Sequence, residues 1–118
     1  MAKPNEPVLL TSQEVEIAQA LARDLAPYVD RNEVGKVLDY FRRVRSTEKF
    51  FKLLDALPRS GYTRSKRTRD YLTQIRSACR QHLRPVTDDQ HALAIVGWSF
   101  RLMTYYQTLK GQRSAQNR

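Results

Sequence analysis

Residues 59–84, RSGYTRSKRTRDYLTQIRSACRQHLR, decide how this chain is read. From Lys66 onward, Leu72, Ile75, Cys79 and Leu83 recur at i, i+3, i+7 and i+11, which predicts a helix with one apolar stripe. Beside that stripe Arg69, Thr73, Arg76, Arg80 and Arg84 form a second line, spaced 4, 3, 4 and 4. At 1.5 Å per residue the line is about 22 Å long, enough to follow several phosphates. Eight Lys or Arg stand in this stretch against one acid, Asp70, a surplus of seven in a chain whose whole net charge is +9. A solvated helix face ordinarily mixes both signs, and this one does not.

The flanks of the stretch set the neighbouring elements. Pro58, Ser60 and Gly61 make a turn, and Tyr62 to Ser65 is a short connection. Residues 63–69, TRSKRTR, are too polar to bury and place cations where a helix macrodipole repels them. A bound phosphate reverses that penalty, so residues 64–69 read as an anion site; the other reading is a basic loop with no ligand. Upstream, Thr11 with Glu14 fits a capping box, and Leu10 with Val15 a hydrophobic staple. Ile17, Ala18, Leu21 and Leu25 then carry a buried face as far as Pro27. Asp30 with Glu33 starts a second helix on Val34, Val37, Leu38, Phe41 and Val44. Ser46 and Thr47 cap a third on Phe50, Leu53, Leu54 and Leu57, which Pro58 closes.

Downstream, Pro85 breaks the chain, Thr87 with Gln90 offers another capping box, and Asp88 and Asp89 suit a first helical turn. The helix that follows is the most apolar in the chain, and Trp98, Tyr105 and Tyr106 read as core or subunit contacts. Gly97 costs about 1 kcal/mol relative to Ala inside a helix, a cost that a close helix crossing offsets. Gly111 is expected to end this helix. The organisation is therefore a loose segment 1–10, an all-α domain 11–111 of about five helices, and a frayed tail 112–118.

Composition bounds the function. A chain of 118 residues is long enough for one domain that buries roughly two-thirds of its unfolded surface without staples. A single cysteine, Cys79, excludes an internal disulfide framework and suits a reducing compartment. No signal-peptide pattern and no membrane-length apolar run occur, so a cytoplasmic protein with no membrane partner is expected. A pI near 10.1 asks for a polyanion. The apolar stripes are just sufficient for a core, which favours nucleic acid over a lipid surface. The charge is concentrated in the middle: residues 1–30 are net −3, whereas residues 31–84 are net +10. Arg42, Arg43, Arg45, Lys49, Lys52 and Arg59 extend the basic surface.

Little in the sequence carries catalysis. Cys79 and His82 are i, i+3 neighbours and His91 follows, yet no carboxylate or second Cys pair completes a zinc spacing. Cys79 lies in the apolar stripe, where a thiol is inert, and His82 reads as a surface residue. Helix capping accounts for Asp88 and Asp89. No phosphate loop or HExxH motif is present. The chain reads as non-enzymatic, with no catalytic residue, metal site or cofactor. Tyr40, Tyr62 and Tyr71 lie close in sequence to basic residues and are candidates for base stacking as well as ordinary core-edge residues.

One resemblance adds to this. The basic helix opening SKRTRDYLTQIR and the aromatic closing helix GWSFRLMTYYQ, within an all-helical domain of this size, resemble the small subunit of class 1 CRISPR effector complexes over residues 30–108. The resemblance implies a non-catalytic antiviral-defence subunit of a type III or type I complex, with several copies stacked in a ribonucleoprotein. It further implies contact with a guide-target duplex or a displaced strand. The contact face would be Arg64, Lys66, Arg67, Arg69, Arg76, Arg80 and Arg84, with Lys49 and Lys52. Its partners would be RNA or DNA backbone, other effector subunits and further copies of itself. Two other functions fit the residues: a helical DNA-binding transcriptional regulator, and a protein-interaction module with an acidic partner. The connection from Pro58 to Ser65 is longer than a helix-turn-helix turn, which argues against the first of these.

Overall fold

Short polar side chains start the helices, and in a computed structural model, which describes residues 8–59 and 65–116 with side chains at 58 and 109–116 left aside, they do so close to where the sequence places them. The helices are α1 (Ser12–Leu25), α2 (Arg31–Val44), α3 (Thr47–Ala56), α4 (Lys66–His82) and α5 (Asp89–Gln116), with a 3-10 turn at Leu57–Arg59. Thr11 and Glu14 form the capping box, each side chain bonded to the other's backbone N–H at 3.1 and 2.9 Å. The Asp30 carboxylate accepts from Asn32 N–H at 2.8 Å and Ser46 Oγ from Lys49 N–H at 3.3 Å. Arg45, at φ 51°, ends α2 in the left-handed region and lets Ser46 open α3 at once.

The all-α bundle is built on the predicted stripes. Leu72, Ile75, Cys79 and Leu83 are buried together with Ala18, Leu21, Leu25, Val34, Leu38 and Phe41. Phe41 of α2 and Phe50 of α3, both fully buried, stack with ring centroids 4.2 Å apart and planes 15° apart. Deleting either ring would cost about 3–5 kcal/mol. The most extensive contact is between α1 and α5. They run the same way: His91 Nδ1 meets Glu14 Oε2 at 2.7 Å near their starts, and the Gln107 amide donates to Ala26 and Val29 carbonyls at 3.1 and 3.2 Å near the end of α1.

Several local expectations give way to tertiary context. Asp88, not Thr87, starts α5, accepting from His91 N–H at 3.0 Å. Asp89 reaches across to α3, where Thr47 N–H and Oγ1 donate to it at 3.0 and 2.6 Å. Val15 is 41% exposed, while Leu10 packs against the core. Gly111 does not stop α5, which continues to Gln116; glycine permits a left-handed stop without requiring one, and no described glycine has positive φ. Trp98 and Tyr105 are 48% and 58% exposed, since the buried side of α5 is taken by Ala92, Ile95, Val96, Ser99 and Met103.

The close helix crossing lies at Gly35, not Gly97. A Cβ at Gly35 would sit 3.2 Å from the Phe100 ring, which Arg31 covers from 3.9 Å, whereas a Cβ at Gly97 would meet nothing within 4 Å. Gly97→Ala is therefore expected to gain about 1 kcal/mol and raise the melting midpoint by about 4 °C, while Gly35→Ala, which must push the Phe100 ring aside by a few tenths of an ångström, gains less. Thermal unfolding followed by circular dichroism checks both, and a lower midpoint for Gly97→Ala would contradict the open site.

Candidate nucleic-acid interface

The orientation of α4 follows from its two ends and its buried stripe. Ser65 Oγ accepts from Thr68 N–H at 3.4 Å and starts the helix at Lys66, and burial of Leu72, Ile75, Ala78 and Cys79 then fixes its rotation. On a 100° wheel this turns Arg69, Thr73, Arg76 and Arg80 toward the flank shared with α3, and Arg67, Tyr71 and Gln74 toward the other flank. Arg67 and Arg76 stand half a turn apart, so the cations occupy two flanks and not one line.

On the α3 flank the structure adds a carboxylate. Asp55 accepts from Arg76 Nε through one oxygen and from Arg80 Nη2 through the other, the latter at 2.8 Å. The hydrogen bond from Arg76 is the main reason that the Asp55 carboxyl is held below the usual carboxylate range. Arg80 also lies over the Phe51 ring, 4.9 Å from its centroid. Two of the predicted contact residues thus share one acid from another helix, and the three groups together carry +1. The opposite sign that residues 59–84 lack beyond Asp70 is supplied here from α3: the pairing spans 21 and 25 positions, and no local spacing announces it.

The other candidates divide clearly. Lys49, Lys66, Arg67, Arg69 and Arg84 are exposed, with no ion-pair partner among the described residues. Lys52 meets Glu48 at 3.2 Å, an exposed i, i+4 pair of the kind that contributes little and gives way readily to a phosphate. Arg64, and with it part of the proposed anion site at 64–69, lies outside the described residues, as does Tyr62. Arg42 pairs with Asp39 at 3.5 Å, while Arg31 is drawn inward over Phe100 and leaves the basic surface.

Among the described residues, two open grooves flank α4. One, of about 630 Å³, is lined by the apolar Phe51, Leu83 and Val86 and by Thr47, Arg80 and Arg84. The other, of about 460 Å³, lies on the opposite flank between Tyr28 and Tyr71, with Lys66 and Arg67 beside them. Tyr28 was not legible as a site residue, because its position in the turn after Pro27 gives no hint of what faces it.

The groups with potential chemistry are held by structure. Burial pushes the Cys79 thiol up to about 12, so no thiolate forms near neutral pH. His82 is no free surface residue: it is paired with Asp24 and joins α4 to α1, while His91 with Glu14 joins α5 to α1. Two of the three acids of α1, Glu14 and Asp24, are thereby paired within the molecule, while Glu16 is exposed. Among the described residues no three His, Cys, Asp or Glu side chains cluster as metal ligands, and no helix is long and apolar enough to cross a membrane. No protein family, curated protein or solved structure matches the chain, so its surface carries the functional reading.

The carboxylates predict an acid response. Glu14 is lowered chiefly by the Thr11 backbone hydrogen bond, Asp55 by Arg76 and Asp89 by the Thr47 hydroxyl. A folded value below the unfolded one gives stability that is complete above the ordinary carboxylate range and is lost as pH falls through the folded values. Denaturant unfolding is expected to be level from pH 7 to about 5 and to weaken below about pH 4. Asp55→Asn should show a shallower acid loss than the parent chain; an identical profile would remove Asp55 from this account.

Proposed function

We propose that this chain is a non-catalytic, sequence-independent nucleic-acid-binding small subunit of a CRISPR ribonucleoprotein effector complex. It holds a guide-target duplex or a displaced strand by the backbone, beside other effector subunits and further copies of itself in the cytoplasm. The motifs in the basic and aromatic helices support the family. The observation that supports backbone binding is the sign imbalance of α4. Lys66, Arg67, Arg69, Arg76, Arg80 and Arg84 have the single acid Asp70 on their own segment, and among the described residues Asp55 from α3 is the carboxylate that pairs with them. Arginine suits this task, since its planar fork matches phosphate oxygens in pairs.

Asp55 makes the reading testable in an unusual direction. A carboxylate between two guanidinium groups occupies the position that a phosphate would take, so removing its charge is expected to strengthen binding. In a fluorescence-anisotropy salt titration, Asp55→Asn should bind mixed-sequence oligonucleotides more tightly than the parent and steepen the salt slope by about 0.7 on single strands or about 0.9 on duplex. Arg69→Gln with Arg84→Gln should weaken binding and flatten the slope for every sequence alike. Charge reversal at Arg76 and Arg80 is the poorer test, because it would set three acids together and lower stability. Affinity independent of salt, or tight preference for one short sequence, would overturn the proposal. Co-purification with guide RNA and other effector proteins tests the complex itself.

A further inference from the structure

The groove between Tyr28 and Tyr71 has features that backbone contact alone does not require. Tyr28 is 67% exposed, yet the turn that carries it is fixed from three sides. Its own N–H donates to Leu25 O at 3.1 Å, Val29 beside it is buried at 3% exposure, and the Gln107 amide of α5 holds the Ala26 and Val29 carbonyls. A large aromatic ring is thus presented to water from rigid backbone, which lowers the entropy lost when something stacks on it. Across the groove Tyr71 is half-buried against the core, and Lys66 and Arg67 supply cations with no ion-pair partner among the described residues. Asp70 and Gln74 complete the lining and offer an acceptor and an amide to a polar edge.

We propose that this groove is a subsite for an unpaired nucleobase, which stacks on Tyr28 beside Tyr71 while the adjoining phosphates rest on Lys66 and Arg67. The inference rests on the nucleic-acid-binding reading and narrows it to single strands, because a paired base cannot leave its stack to enter. The combination matches what single-strand binding requires: a ring for the face that every base shares, and cations for the backbone. Asp70 disfavours a second phosphate in the groove and instead accepts from an exocyclic amino group, so the edge of the base lies on its side. The groove on the other flank is a weaker seat, since Arg80 already covers the Phe51 ring there. An acidic peptide would be attracted by Lys66 and Arg67 but repelled by Asp70, and it has no use for Tyr28.

The experiment compares Tyr28→Ala, Tyr28→Phe and the parent chain for binding to a mixed-sequence single-stranded RNA, the same RNA as a duplex, and poly-glutamate, with circular dichroism confirming the fold. Tyr28→Ala is expected to weaken single-strand binding by roughly 5-fold or more, the effect of losing one stacked base, and to leave the duplex unchanged. Tyr28→Phe keeps the ring and should bind as the parent does. Unchanged single-strand binding in Tyr28→Ala, an equal loss on the duplex, or an equal loss on poly-glutamate would each overturn the subsite. If only Tyr28→Ala behaves as the parent while Asp55→Asn still tightens binding, the subsite fails and the backbone-binding reading stands. If the parent binds neither RNA, both fail.

Discussion

Burial of Leu72, Ile75, Ala78, Cys79 and Leu83 is the constraint on which the surface depends. Each fully buried aliphatic side chain contributes about 1.5–3 kcal/mol, so the stripe as a set resists rotation of α4 strongly. Once the stripe is fixed, every arginine on the helix has an assigned flank, and the charge pattern follows without further design. Rotating α4 by one residue would expose the stripe and bury guanidinium groups, which no arrangement of nearby acids would offset.

Electrostatics then sorts the cations into two kinds. Arg76 and Arg80 are held in place by Asp55, and Arg80 also by the Phe51 ring. Such side chains are already ordered, so a ligand that replaces the carboxylate recovers a prepared pair of forks and loses little further entropy. Lys66, Arg67, Arg69 and Arg84 are free to move and suit steering and loose backbone contact. Asp89 with Thr47 and His91 with Glu14 consume the acids near the start of α5 in joining helices, which leaves the middle of the chain with its uncompensated surplus.

Much of the fold was legible because it rests on local rules. The capping box at Thr11, the starts at Asp30 and Ser46 and the period of the α4 stripe all depend on residues within one or two turns. What the sequence did not disclose depends on distant partners. Asp55 sits 21 positions from Arg76, and the ring that crowds Gly35 is Phe100 of another helix. Trp98 read as a core or subunit contact because α5 is apolar nearly all round; α1 and α2 cover only part of it, which removes the core alternative, and nothing in the period says which part they cover. The same limit hid Tyr28, whose significance comes from Lys66, Arg67 and Tyr71 across the groove and from Gln107 behind its turn.

Two surfaces therefore compete for a role: the cationic flanks of α4, and the exposed Trp98–Tyr105 side of α5, where Arg101 lies 5.5 Å from the centre of the Trp98 ring. The measurement that separates them most directly is an NMR titration of the labelled chain with single-stranded RNA, followed through arginine side-chain and backbone amide signals. The account predicts that shifts concentrate on Arg67, Arg69, Arg80 and Arg84 and leave Arg101 and the Trp98 indole unchanged. Shifts centred on Trp98, Arg101 and Tyr105, with the α4 arginines silent, would contradict it.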